Sequence, residues 1–270
     1  MPAPRTNAAD PTRLLALLWQ ESSTRAAPTS PGLPTPAAPI TRRGPRRGLE
    51  VNAVVRAAIV LADASGLDGL SMRRLATHLG IAPMSLYTYV PAKAELIDLM
   101  LDRLYLDMDA PPMASLATPR ERVWAVASTN WDLATAHPWV LGVATTRPGL
   151  GPGATRKYDY ELGAFDGLGL SDVDMDSWLT LLLTVVRGAA QLRQESADAR
   201  TDSGESDSEW WESAGPALVA YLTPEAYPLA TRVGTAAGAA HGAATAPEHV
   251  FRFGVERLLD ALNGSDRWEV

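Results

Sequence analysis

The sequence predicts an all-α fold: a small N-terminal domain built on a helix-turn-helix, followed by a larger helical domain. Three observations carry this expectation. Apolar residues recur at helical spacing through most of the 270 residues, and no segment alternates apolar and polar residues for long enough to make a strand. Residues 70–96 hold two short helical patterns hinged at Gly80. Pro111 and Pro112 then mark a boundary beyond which the composition turns acidic. The expected organisation is an extension over 1–48, a helix-turn-helix domain over 49–108 and a helical domain over 112–265.

The extension begins with a short helix near 10–20, with Asp10 as N-cap, Pro11 at the first helical position and Leu14, Leu15, Leu17, Leu18 and Trp19 following. At that length it is marginal alone and must dock or fray. Residues 25–48 contain six prolines and read as an extended or flexible linker. Arg42, Arg43, Arg46 and Arg47 cluster at its end. They suit an arm that follows phosphates or enters a minor groove, and equally a solvated basic tail.

A helix over 49–65 turns Val51, Val54, Val55, Ala58, Ile59 and Ala62 inward and stops at Gly66. Ser71 then caps a helix whose apolar face is Met72, Leu75, Ala76 and Leu79, and Gly80 ends it. The next helix starts near Ala82, with Pro83 tolerated in its first turn. It buries Ile81, Leu86 and Val90 and turns Met84, Ser85, Tyr87, Thr88 and Tyr89 outward. Two helices joined by a tight glycine turn, the second one polar and aromatic, can place that second helix in a DNA major groove. A further helix runs from about 92 to 107 through Leu96, Ile97, Met100, Leu101 and Leu104.

The net charge of −7 argues at first against a nucleic-acid partner. Its distribution reverses the argument. Between Arg42 and Lys93 eight basic residues meet three acids, a balance of +5 that leaves −12 for the rest. A basic module joined to an acidic body confines DNA contact to one end.

The segment from about Leu49 to Leu104 resembles the DNA-binding domain of the tetracycline-repressor (TetR) family. The pieces that carry the resemblance are Ser71-Met-Arg-Arg-Leu-Ala76, Gly80-Ile81, Ser85-Leu-Tyr87, Tyr89-Val90 and Lys93-Ala-Glu-Leu96. By this resemblance Arg73, at the start of the first motif helix beside Arg74, takes the place of an arginine that reads a guanine, which is sound chemistry for a bidentate contact. Pro83, Met84, Ser85 and Thr88 face the groove, where Pro83 and Met84 suit a thymine methyl. Tyr87, Tyr89 and Lys93 bond phosphates, although the Tyr87 ring also suits partial core packing. With Ser71 and the four arginines of the arm, these form the expected DNA-binding set.

The remainder reads as helices at about 119–136, 138–146, 152–168, 173–196, 208–222, 224–237 and 247–263. The acidic, Ser-rich run 198–209 reads as a mobile loop, and the Gly/Ala-rich run 234–246 as loop or poorly ordered helix. Helix 173–196 is apolar nearly all round from Trp178 to Ala190, as expected of a helix buried on both sides. The last helix aligns Phe251, Val255, Leu258, Leu259 and Leu262, with Gly254 allowing close approach. The resemblance implies that these two helices pair with their symmetry mates. The expected dimer interface is Trp178, Leu182, Val186, Phe251, Gly254, Val255, Leu258 and Leu262.

Effector pockets are typically apolar with a few placed polar groups. Trp124 and Trp131, seven apart, share a helix face. With Asn130, His137, Trp139, Arg147, Trp178 and Thr180 they form the expected ligand-binding set. Thr145-Thr-Arg-Pro148 resembles a stretch of the tetracycline repressor in which a histidine three before the threonine helps bind a magnesium–drug complex. Val143 stands there in this chain, so neither tetracycline nor magnesium is carried over. No cofactor and no metal are expected, and the effector should be a small, largely apolar organic molecule.

Enzyme chemistry finds little support. Cysteine is absent, which excludes disulfides and thiolate sites. The four histidines (His78, His137, His241 and His249) show no metal-ligand spacing, and no Gly-x-Ser-x-Gly occurs. No run of 18 uncharged apolar residues suggests a membrane partner. The N-terminus lacks the order of a signal peptide, so the cytoplasm is the expected location. The reading is a ligand-responsive repressor that binds a palindromic double-stranded DNA operator as a homodimer. The alternative is a helical small-molecule-binding protein or enzyme with an incidental hairpin.

Overall fold

A computed structural model describes residues 11–23, 50–144 and 149–263. They form eleven α-helices and two short 3-10 turns, with no strand among the described residues. The helices are α1 (Pro11–Ser23), α2 (Val51–Gly69), α3 (Met72–His78), α4 (Pro83–Leu86), α5 (Lys93–Asp107), α6 (Pro119–Ala136), α7 (Pro152–Leu162), α8 (Asp172–Ser203), α9 (Asp207–Val219), α10 (Pro228–His241) and α11 (Pro247–Asn263). The chain divides into two compact units. One combines the described residues up to Met108 with those of 137–160; the other combines Asp109–Ala136 with the described residues from Glu161 onward. Residues 137–160 thus belong to the first unit, where the sequence alone assigns them to the larger domain. The linker arginines Arg42, Arg43, Arg46 and Arg47 lie outside the described residues, as does Arg147.

In the first unit, α2 supplies Val54, Val55, Ala58 and Ala62 to a core shared with Leu75 and Ala76 of α3, Leu86 of α4, Val90, and Leu96 and Met100 of α5. The helical pattern of α2 breaks at Gly66, whose φ of +64° favours a residue without a Cβ. Packed against α5, α1 buries Leu14 and Leu18, which answers how so short a helix persists. Its Trp19 Nε1 donates to the Leu150 carbonyl at 3.0 Å.

In the second unit α6, α8 and α11 pack on one another. Thr118 and Glu121 cap α6 reciprocally: the Thr118 N–H donates to Glu121 Oε2 (2.9 Å) and the Glu121 N–H to Thr118 Oγ1 (3.1 Å). The core holds Val123, Val126 and Ala127 of α6, Leu179, Leu182 and Val186 of α8, and Val255 and Leu259 of α11.

Several boundaries differ from the sequence expectation. The expected helix 138–146 is only a 3-10 turn over Pro138–Gly142. The one expected over 152–168 ends at Leu162, ahead of Gly167 and Gly169, both at positive φ. Residues 198–209 are not one loop. The α8 helix continues to Ser203 and ends on Gly204 at φ +76°, and α9 starts three residues later. The acidic run is a solvated helix end followed by a capping box, in which Ser206 Oγ accepts from the Glu209 N–H and the Glu209 carboxylate from the Ser206 N–H. Helix α10 starts at Pro228 rather than near 224 and holds the Gly/Ala-rich run as far as His241, where Gly242 at φ +63° ends it.

Candidate nucleic-acid interface

Local sequence builds the site. Ser71 is extended, and its hydroxyl accepts from the Arg74 N–H at 3.1 Å, starting α3. Gly80, at φ +67°, reverses the chain in a conformation that a side chain would strain. Pro83 opens α4 in its first turn. After Leu86 the backbone closes with Tyr89 N and Val90 N both donating to the Leu86 carbonyl. Leu86 and Val90 are fully buried. Each contributes about 1.5–3 kcal/mol by burial, and together they fix which face of α4 looks outward.

That outward face carries Pro83, Met84, Ser85, Tyr87 and Thr88, all exposed, with Tyr89 half-buried beside them. Met84, at 78% exposure, is a large apolar side chain in water at the tip of the hairpin. Tyr87 is exposed rather than packed in the core. Arg73 is exposed at the start of α3. Its neighbour Arg74 is used within the chain, donating through one guanidinium nitrogen to Ser65 Oγ and the Gly69 carbonyl, both at 3.0 Å. Lys93 is likewise engaged, its Nζ donating to the Leu67 carbonyl at 2.6 Å. The structure thus separates two arginines that the sequence presents as equivalent: Arg74 braces the end of α2, while Arg73 points a free fork of donors outward.

A glycine-hinged helix pair with a buried reverse side and an exposed mixed face of Arg, Ser, Thr, Tyr and Met defines a helix-turn-helix DNA-binding protein. The family model for bacterial regulatory proteins of the tetR family matches residues 54–100. The model for the tetracyclin repressor-like C-terminal domain matches residues 115–264. The chain belongs to the TetR family of transcriptional regulators. It is 39% identical over 222 residues to the HTH-type transcriptional repressor DrrR1 of Streptomyces coeruleorubidus, covering 82% of this chain and 79% of that protein. Among solved structures, a TetR regulator of Streptomyces coelicolor is 26% identical with a TM-score of 0.59, covering 80% of this chain and 99% of that one. The complex of the Streptomyces coelicolor TetR-family protein ActR with actinorhodin is 24% identical with a TM-score of 0.63, covering 82% and 98%. At that identity the likeness is one of fold. What this chain shares with these relatives is the class of TetR-type transcriptional regulator, with a helix-turn-helix domain and a tetracyclin repressor-like C-terminal domain.

The expected ligand-binding residues fall into two groups. Trp124 and Trp131 of α6 do share a face, and both rings meet Phe251 of α11. Trp131 stacks on it at 4.6 Å and Trp124 meets it edge-on at 5.7 Å. Asn130 donates to Glu161 Oε1 at 2.5 Å, and Glu161 is almost wholly buried. Trp178 is half-buried and Thr180 exposed. His137 and Trp139, by contrast, belong to the first unit, where a ring nitrogen of each meets Asp63 Oδ1, at 2.7 and 2.8 Å. Sequence reasoning passes over Asp63, because nothing local marks a partner more than seventy positions away.

The expected dimer residues divide by burial: Trp178 and Leu258 are half-buried, and most of the others are covered within the chain. Leu182, Val186, Phe251, Val255 and Leu262 are buried within the chain itself, and Gly254 of α11 makes its close approach to Val185 of α8 in the same chain. The pattern marks the side on which α8 and α11 pack on each other and on α6. On the outward side Leu181, Val250 and Phe253 remain exposed. The α8 helix is therefore covered on one side within the chain, not on both. One histidine pair also escapes the sequence: the rings of His241 and His249 lie 4.8 Å apart across the α10–α11 connection. No group of three or more His, Cys, Asp or Glu that could hold a metal occurs among the described residues. Among them, too, no helix is long and apolar enough to cross a membrane.

Proposed function

We propose that this chain represses transcription as a cytoplasmic homodimer that binds a palindromic operator and is released by a small apolar organic effector. The observation that carries the DNA reading is the exposed face made by Arg73, Pro83, Met84, Ser85, Tyr87 and Thr88, held rigid by the buried Leu86 and Val90. One such hairpin offers few base contacts, and a two-fold dimer reading two half-sites is the usual physical remedy. The second copy is supported by apolar side chains that the single chain leaves in water: Leu181, Val250 and Phe253 of α8 and α11, and Trp210, Leu218 and Leu229 of the α9–α10 stretch. Arg42, Arg43, Arg46 and Arg47 would add phosphate contacts beside the main site.

For the effector we retain Trp124, Asn130, Trp131, Trp178 and Thr180 in the second unit and leave out His137 and Trp139, whose ring nitrogens meet Asp63 in the first unit. Actinorhodin, the compound ActR holds in its complex, is the first to test. The experiment has two arms. Duplexes selected from a random pool by the full chain should share an inverted repeat, bound by a species that sediments as a dimer. Actinorhodin or a compound from an aromatic library should quench tryptophan and release that duplex. Selection of a single unrepeated site by a monomer would contradict the dimeric reading. Binding that leaves operator affinity unchanged would identify the compound as a passenger, since equal affinity for two states shifts neither.

A further inference from the structure

The regular run of α2 stops at Ser65, because Gly66 leaves the helical region. The last carbonyls of a helix have no partner inside it and form the negative end of its dipole. Two cations reach this end from other helices of the same unit. Lys93, the first residue of α5, donates from Nζ to the Leu67 carbonyl at 2.6 Å. That carbonyl also accepts from the Leu70 N–H at 3.3 Å. Arg74, in the first turn of α3, donates to the Gly69 carbonyl and to Ser65 Oγ, each at 3.0 Å. Ser65 Oγ donates onward to the Leu61 carbonyl at 2.8 Å. A Cβ at Gly69 would collide with the Ser65 side chain and lie 3.1 Å from the Arg74 guanidinium. The turn between α2 and α3 is thus closed from two sides, by a cation of α3 and by a cation of α5. Lys93 is half-buried, and its bond spans 26 positions of sequence. A hydrogen bond from an ammonium is among the stronger kinds, and leaving its acceptor unmet is costly.

We propose that Lys93 is a positioning residue for DNA binding and not a phosphate contact. The TetR resemblance gives Lys93 to a phosphate; the geometry gives its ammonium to the protein's own backbone. By fastening the α2–α3 turn to the start of α5, Lys93 sets where α3 begins. Arg73 stands in the first turn of α3, and α4 packs on α3, so the whole reading face takes its place from that turn. Arg74 braces the turn from the α3 side, and Lys93 ties it to a different helix. Loss of the clamp should therefore weaken binding to every sequence alike, because it displaces the face and removes no base contact. It should release no fewer counterions. The proposal rests on the reading of this face as the DNA surface, and the clamp itself can be measured in the free chain.

The test uses the full chain with Lys93→Met, which keeps the stem and removes the ammonium, and Lys93→Arg, which keeps a cationic donor. Hydrogen exchange of peptides covering 64–72 is read first, without DNA. Lys93→Met should raise it by about tenfold and Lys93→Arg by less than about threefold. Affinity for a duplex selected by the native chain is then measured over a salt series, at a temperature where circular dichroism shows each variant folded. Lys93→Met should bind about tenfold more weakly, by the same factor on the selected duplex and on its single-base variants. The slope of log K against log salt should stay at the native value, and Lys93→Arg should recover most of the affinity. A slope shallower by about 0.9 would make Lys93 a phosphate contact and overturn the proposal. Unchanged affinity in the folded variant would leave Lys93 a structural role alone and overturn it too. If Lys93→Met does not fold, Lys93→Gln keeps a donor without the charge and decides the same question through the slope. Unchanged exchange at 64–72 in a chain that binds DNA would refute the clamp and spare the DNA reading. A native chain that bound no duplex would refute the DNA reading and this role with it, whatever the exchange showed.

Discussion

Gly254 offers a test of the packing that builds the second unit, because two opposing terms decide its sign. A Cβ added at Gly254 of α11 would fall less than 3.0 Å from Val185 Cγ1, where ordinary contact begins at 3.4 Å. Replacing glycine by alanine inside a helix gains about 0.8–1.0 kcal/mol from propensity alone. Overpacking of this kind costs about 1–3 kcal/mol. The obstructing atom belongs to a β-branched side chain with one strongly preferred rotamer in a helix, so it cannot swing aside cheaply. The clash should win, and Gly254→Ala should lose about 1 kcal/mol, lowering the melting temperature by about 2–4 °C. Val185→Ala removes the obstruction. In the Gly254→Ala background it should cost less than in the native one, with a coupling energy of about 1–3 kcal/mol. Urea unfolding read by tryptophan fluorescence suits the measurement, since Trp124 and Trp131 both pack on Phe251 of the same helix. If Gly254→Ala stabilised the chain by its full helix-propensity gain, or if the two substitutions added without coupling, α8 and α11 could not be as close as described.

Three further outcomes follow from particular side chains. Burial pushes the Asp102 carboxyl above its usual value of 3.8, and the amides of Ala154 and Gly153 offset part of that rise. An acid raised in the folded state contributes stability that is present below its unfolded pKa and is lost as pH rises through the folded one. Native stability should therefore fall relative to Asp102→Asn as pH climbs from about 3.8, and urea midpoints that ran parallel from about pH 3.5 to 7 would contradict this. Arg74→Met should cost about 1 kcal/mol of stability through its lost bonds to Ser65 and Gly69, and should weaken DNA binding equally for every base sequence in a competition assay. Ser206→Ala should lose about 1 kcal/mol of helix capping, with faster exchange confined to the first turns of α9; unchanged exchange there would mean that the box holds nothing.

The parts of the molecule legible in the sequence are those specified within a turn or two of the chain. The cap at Ser71, the left-handed Gly80 and the apolar spacing of Leu75, Ala76 and Leu86 are local, and the structure places them where that logic puts them. The capping box at Ser206 and Glu209 is equally local, but the surrounding run of Ser, Asp and Glu has the composition of a loop, and that composition masks the motif. For the expected interface residues the sequence is ambiguous for a different reason. Helical periodicity finds an apolar face without saying whether its partner lies in the same chain. Because α8 has apolar residues on both sides, Leu182 and Val186 read as outward when Leu181 is the one left in water. Asp63 shows the remaining limit. An aspartate on a helix surface is unremarked in sequence, and only the fold brings His137 and Trp139 to it. Arg73 and Arg74 combine both lessons, adjacent and chemically identical yet separated by whether a carbonyl at Gly69 is in reach.

The account turns on the claim that the exposed face of α3 and α4 reads DNA, with Arg73 as its base-reading cation. The most direct measurement is the affinity of native and Arg73→Ala chains for a selected duplex and for its variants at every position of one half-site, at fixed salt. The account predicts a loss of about 1–3 kcal/mol on the preferred duplex and a collapse of preference at one base pair per half-site, with the other positions still discriminated. An equal loss across all variants would make Arg73 a phosphate contact, and no loss on any duplex would contradict the assignment of this face to DNA.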